Sequence, residues 1–163
     1  VIFLENEILY GHKHQVPEKA IFDNDFVVPI GKAKVVREGK DITIVTYSLQ
    51  VQYALDAAEK LKKEGIDAEV IDLRTIRPLD EETIIKSVKK TNRLIALEEG
   101  WPFAGVASEI CTLVANEAFD YLDVEPMRVT GKDVPMPYAK NLEDLALPSV
   151  AQIVETAKDA CYR

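Results

Sequence analysis

The sequence predicts an α/β fold: a three-layer α/β/α domain built on a mostly parallel central sheet. Three observations predict it. Short β-branched, apolar runs recur along the chain. Helical patterns of roughly 10–15 residues separate them, and turn residues mark the junctions. Strands alternating with such helices mean βαβ crossovers, which lay helices over both faces of the sheet.

The elements follow in order. Lys34 to Arg37 is a candidate strand, ended by the turn residues Glu38-Gly39-Lys40. Ile42 to Tyr47 is β-branched and mostly apolar, as a central strand should be. Ser48 is placed to cap a helix whose apolar residues Val51, Ala54, Leu55, Ala58 and Leu61 share one face, with Gly65 as its C-terminal stop. Ala68 to Leu73 is the next strand. Asp80 is the expected N-cap of a helix with Glu81 and Glu82 in its first turn, Ile84, Ile85 and Val88 facing inward, and Lys86, Lys89 and Lys90 toward its negative end. Leu94 to Leu97 is a strand, Glu98 to Pro102 a loop, and Val106, Ile110, Leu113 and Val114 mark another helix. Met127 to Thr130 is a strand followed by the loop Gly131 to Pro137. A last helix, opened by Pro148 near its first position, buries Val150, Ile153, Val154, Ala157 and Cys161.

Before this pattern the chain reads differently. Val1 to Leu4 is a short apolar run of the kind that forms a buried strand, and residues 6–28 show no clean period. Residues 1–28 are therefore expected to be the end of a preceding domain plus a linker, and residues 29–163 the α/β domain. The opening residues lack an initiator Met, which suggests a cut chain, and they lack the features of a signal peptide.

Composition sets a class and no function. The chain has 163 residues, 47% of them hydrophobic and 29% charged, the proportions of an ordinary globular protein with room for a sizeable core. No stretch approaches the ~18 apolar residues that read as a membrane span. Cys111 and Cys161 have no close-spaced partner and read as reduced, packed side chains. A net charge of −8 disfavours nucleic acid and anionic membranes, and fits either a basic protein partner or plain solubility.

Catalytic constellations fail one by one. His12 and His14 have no third metal ligand nearby, and beyond residue 14 there is no histidine to serve a nucleophile. The first strand–helix junction, Thr46 to Gln50, contains no glycine, so neither nucleotide-binding fingerprint is present. Glu98 and Glu99 sit at a strand's carboxyl end, where α/β sheets bind ligands. They suit acid/base work, the capping of the following helix, or a neighbouring subunit. Arg74 and Arg77, flanked by Asp72 and Asp80, suit an anion grip or a structural ion-pair network. Trp101-Pro102-Phe103 is an aromatic-proline loop of the kind that anchors interfaces, or one folded over its own sheet edge. Asp123 and Glu125, before Pro126, read as a solvated acidic pair. The residues alone point to an interaction domain.

Several strings together carry a resemblance. Leu4-Glu5-Asn6-Glu7 with Tyr10-Gly11, Pro29 to Ala33, Asp72 to Asp80, Glu98 to Pro102, Val129 to Tyr138 and Asn141-Leu142-Glu143 resemble the C-terminal half of pyruvate dehydrogenase E1 β subunits, in order and over essentially the whole chain. Transketolase, deoxyxylulose-phosphate synthase and the branched-chain 2-oxoacid dehydrogenases share this domain type, and the Trp101-Pro102 loop and Asp133 to Tyr138 look more like the pyruvate enzymes. The resemblance implies a thiamine-diphosphate- and Mg2+-dependent α2β2 enzyme that decarboxylates pyruvate and passes the acetyl group to lipoyl groups of the E2 acetyltransferase. Its expected partners are the E1 α subunit, a second β subunit and the E2 subunit-binding domain. Its compartment would be a bacterial cytoplasm or a mitochondrial matrix. It implies that no catalytic or cofactor residue lies in these 163 residues, and that the isolated chain is inactive. It places E2 docking at Asp123 and at the terminal carboxylate of Arg163, and a subunit interface at Trp101, Pro102 and Phe103. The alternatives are the same domain of a branched-chain or acetoin dehydrogenase, and a free-standing interaction domain that has reused the fold.

Overall fold

A computed structural model describes residues 5–13 and 16–162. The expected strand at Val1–Leu4, His14 and the docking carboxylate of Arg163 lie outside the described residues. The sheet has five strands: β1 (Lys34–Arg37), β2 (Ile42–Thr46), β3 (Ala68–Asp72), β4 (Leu94–Leu97) and β5 (Met127–Val129). Their spatial order is β1-β3-β2-β4-β5. The central pairs β3/β2, β2/β4 and β4/β5 are parallel, whereas β1 runs antiparallel along the edge of β3. The α/β architecture is the one the periodicity predicts, with strands Ile42–Tyr47, Ala68–Leu73 and Met127–Thr130 each ending one residue early.

Burial explains the order. Every residue of β2 and β4 is buried, as strands covered on both faces must be. Ile42, Ile44, Ala68, Val70, Ile95 and Leu97 meet helices α2 (Gln50–Lys63) and α6 (Val150–Ala160) through Ala54, Ala58, Leu61, Ile153 and Ala157. Val45, Ile71, Leu94 and Ala96 meet α3 (Glu81–Thr91) and α4 (Val106–Glu117) through Ile84, Val88, Ile110 and Val114. The strand alternation thus divides two cores across one sheet.

Two helix starts differ from expectation. Ser48 does not cap α2: its φ of 57° is left-handed, not the extended geometry a cap needs, and only its carbonyl engages, accepting from Val51 N–H at 3.2 Å. For α6 the cap is Ser149, with Pro148 lying just outside. The Ser149 hydroxyl accepts from Gln152 N–H while Gln152 accepts from Ser149 N–H, so two orphan donors are satisfied reciprocally. Asp80 caps α3 as predicted, accepting from Thr83 N–H and O–H, and also from Ala33 N–H at 2.9 Å. Those hydrogen bonds hold its carboxyl below the usual range although burial pushes the other way.

Four short elements have no counterpart in the sequence reading: a 3₁₀ turn at Glu7–Gly11, α1 (Glu18–Phe22), a second 3₁₀ turn at Phe119–Tyr121 and α5 (Lys140–Ala146). The first two lie in the expected linker and contain no buried residue.

The sheet's amino-terminal end is closed by a polar network. Thr43 Oγ1 lies 2.7 Å from both Ser87 Oγ and Thr91 Oγ1. Glu69, 1% exposed, accepts from Ser87 and Lys90, and from Gly39 N–H at 3.3 Å. Gly39 lies so close to this strand that a Cβ would overlap the backbone of Ala68 and Glu69. Gly39→Ala is therefore expected to lower the unfolding free energy by about 2–3 kcal/mol, read from the urea midpoint. An unchanged midpoint would mean that this turn does not pack against β3.

Candidate functional site

The carboxyl ends of β2 and β4 bring Tyr47, Gln50, Glu98 and Glu99 together. Glu98 is 3% exposed. Its Oε1 accepts from Ala107 N–H at 3.0 Å, and its Oε2 from Val106 N–H at 3.1 Å and Tyr47 O–H at 3.3 Å. The carboxylate therefore sits on the N-terminus of α4, where the helix dipole and free N–H groups favour an anion. Gly105 precedes that turn because a Cβ there would overlap the Glu98 carboxylate. Glu99 accepts from Gln50 Nε2 at 3.1 Å. Burial, then the charges of Glu98 and Glu99, push the Tyr47 phenol up to about 12.

This geometry decides between the readings of Glu98. It caps the following helix, and its oxygens are committed. Thiamine diphosphate with Mg2+ would need a backbone cradle for its diphosphate and oxygen ligands for the metal. Here the α4 N–H groups are already occupied by a carboxylate, and those of α3 and α6 by Asp80 and Ser149. The uncapped start of α2 lies beside Glu99, whose charge repels an anion. Among the described residues no three His, Cys, Asp or Glu side chains gather as metal ligands. The residues at the strand ends do not fit the cofactor.

The Trp101–Phe103 loop is pinned by its backbone and exposes its rings. Arg128 Nη1 donates to Pro102 C=O at 2.7 Å and to Ser108 Oγ at 2.6 Å, while Gly131 N–H donates to Gly100 C=O at 3.0 Å. Trp101 is 54% and Phe103 82% exposed, with Pro102 half-buried. The rings are not folded over their own sheet edge. Met136 and Tyr138, on the loop that Gly131 ties to this one, are exposed as well.

The amino-terminal end holds Asp123. It is not the freely solvated carboxylate the sequence suggests: its Oδ2 lies 2.6 Å from Arg93 Nη2, and its side chain is half exposed. Arg93 was not singled out in the sequence, because its partners lie in distant segments. Glu125 is exposed. Arg74 and Arg77 form no ion pair within 4.0 Å among the described residues; Asp72 accepts from Arg74 N–H, and Asp80 pairs with Lys32. The segment is a hydrogen-bonded turn, not the expected network. Cys111 is packed beneath Met127, and burial pushes its thiol up to about 11. Among the described residues no helix is long and apolar enough to cross a membrane.

Comparison with known proteins adds a family. Residues 31–153 match the model of the transketolase C-terminal domain. The chain is 60% identical over its whole length to "Pyruvate dehydrogenase E1 component subunit beta-1, mitochondrial" of Arabidopsis thaliana, covering 45% of that protein. It is 59% identical to "Pyruvate dehydrogenase E1 component subunit beta" of Rickettsia felis, over 99% of this chain and 48% of that one. The chain spans about half the length of the curated relatives it matches. A solved structure titled "Split gene transketolase, inactive beta4 tetramer" superposes with a TM-score of 0.73 at 28% identity, over 90% of this chain and 46% of that one.

Two outcomes follow from the Glu98 cluster. Glu98→Ala strands two helix N–H donors, and is expected to cost about 2–3 kcal/mol. It should also shift the fluorescence of Trp101, the only tryptophan; an unmoved emission spectrum would separate the loop from the cap. Because the folded pKa of Tyr47 is raised, the stability its protonated form contributes is present below pH ~10 and lost as the pH climbs to about 12. Near-ultraviolet titration should show a tyrosine ionising near the top of this range, and that step should be absent in Tyr47→Phe.

Proposed function

Because the chain belongs to the transketolase C-terminal domain family, we propose that it is the C-terminal domain of a pyruvate dehydrogenase E1 β subunit. The observation that carries the reading is the 60% identity to such a subunit across every residue of the chain. In the whole protein, thiamine diphosphate with Mg2+ supports oxidative decarboxylation of pyruvate and acetyl transfer to lipoyl groups of the E2 acetyltransferase. The cofactor is held by residues outside this chain, a reading supported by the commitment of Glu98 to the α4 N-terminus. Residues 1–28 join this domain to the one before it.

This domain then serves assembly and docking. Trp101, Pro102 and Phe103 form a subunit interface, facing the E1 α subunit or a second β subunit. Two bare aromatic or proline-braced rings on a fixed backbone lose little entropy on burial, which supports that role. Asp123 and the carboxylate of Arg163 receive the basic subunit-binding domain of E2, a reading supported by the chain's charge of −8. The compartment is a bacterial cytoplasm or a mitochondrial matrix, in keeping with the plant mitochondrial and bacterial relatives.

The test uses the full-length protein with its α subunit. Turnover of pyruvate well above 2-oxoisovalerate is expected; the reverse order would assign the domain to a branched-chain enzyme. Calorimetry on the 163-residue chain should detect no thiamine diphosphate binding, and tight binding would overturn the assembly role.

A further inference from the structure

Asp123 is held in place to a degree that an exposed loop carboxylate does not need for its own stability. Its backbone N–H donates to Asn92 C=O at 2.9 Å, and its C=O accepts from Tyr162 O–H at 3.1 Å. Asn92 ends α3 in the left-handed conformation, with φ 61°, and its side chain donates to Tyr121 C=O at 2.6 Å. The loop is thereby stitched to the end of the helix before β4. Arg93 then fixes the side chain. Its three nitrogens go to three separate places: Nε to Ala160 C=O at 3.0 Å, Nη1 to Asp41 C=O at 3.2 Å, and Nη2 to Asp123 Oδ2 at 2.6 Å. The first two contacts do not involve Asp123, so the guanidinium has two anchors besides the carboxylate. Arg93 is 22% exposed and Asp123 49% exposed, so the cation lies inside and the anion at the rim. The 2.6 Å contact is made by Oδ2, and Oδ1 accepts no hydrogen bond among the described residues.

We propose that Arg93 is the positioning residue of the docking surface: it locks the Asp123 carboxylate by one oxygen and presents the other to an incoming ammonium or guanidinium. This rests on the docking role given to Asp123 above. The Arg93–Asp123 pair is close to neutral, so long-range attraction falls to the exposed Asp120 and Glu125 nearby. Attraction and grip are divided between different residues. Asp120 and Glu125 set how fast a basic partner arrives; the locked Asp123 sets how long it stays. A lysine at position 93 keeps the charge but not the three-way fork, so it cannot hold both carbonyls and the carboxylate at once.

The experiment is a double-mutant cycle with Arg93→Lys and Asp123→Ala in the full-length assembled protein. Rates are measured by surface plasmon resonance with the isolated E2 subunit-binding domain as analyte, after circular dichroism has verified folding. Arg93→Lys is expected to raise the dissociation rate about three- to tenfold, the range for releasing one ordered side chain, with the association rate within about twofold. In the Asp123→Ala background the same substitution should have no further effect. An equal loss in both backgrounds would overturn the proposal, since Arg93 would then act through general structure. So would unchanged or tighter binding by Arg93→Lys alone, which would make Arg93 a bystander or a competitor. If Asp123→Ala binds like the parent at low salt, the docking role itself fails, whatever Arg93→Lys does.

Discussion

Strand β2 is buried from end to end and on both faces, and it carries two threonines. A buried hydroxyl costs free energy unless it finds a partner. Thr43 finds Ser87 and Thr91 on α3; Thr46 donates to Leu97 C=O at 2.8 Å on β4. Each pairing fixes a neighbour in turn. Ser87 draws in Glu69, Glu69 takes Lys90 and the Gly39 turn, and β1 is held against β3 beyond it. At the other end Leu97 leads into Glu98, which holds α4 and the loop before it. Satisfying one central strand orders the polar groups at both ends of the sheet.

Much of this was legible in the residues. The central strands show in Ile42-Thr43-Ile44-Val45 and Leu94-Ile95-Ala96-Leu97, because a strand buried on both faces must be a continuous apolar or β-branched run. Asp80 shows as a cap because an acidic N-cap before Glu81 and Glu82 has one local explanation. Glu98 as a cap was one of its three readings, and only the three-dimensional position of Val106 and Ala107 selects it.

What was not legible depends on backbone geometry or on distant partners. Ser48 has the right side chain for a cap and the wrong φ, which no local pattern encodes. Pro148 suggests a helix start just before the true cap, Ser149, whose spacing to Gln152 carries its own capping signal. Arg93 was invisible because its carbonyl partners lie 52 and 67 residues away in sequence, and its role exists only once three segments meet. The resemblance marks Asp123 as the candidate docking position, but its pairing with Arg93 depends on segments that meet only in the fold.

The left-handed turn at Asn92 has a broader consequence. By ending α3 and starting β4 within two residues, it puts Asp123 at the amino-terminal end of β4, whereas Trp101 follows the carboxyl end. Four strand residues rise about 13 Å, beyond the distance at which neighbouring substitutions usually couple. The rigid strand acts as a spacer between two addressable poles. On the roles proposed above, one pole is held by a neighbouring subunit while the other exchanges partners, so an assembly built on this domain would stay intact while its visitors change.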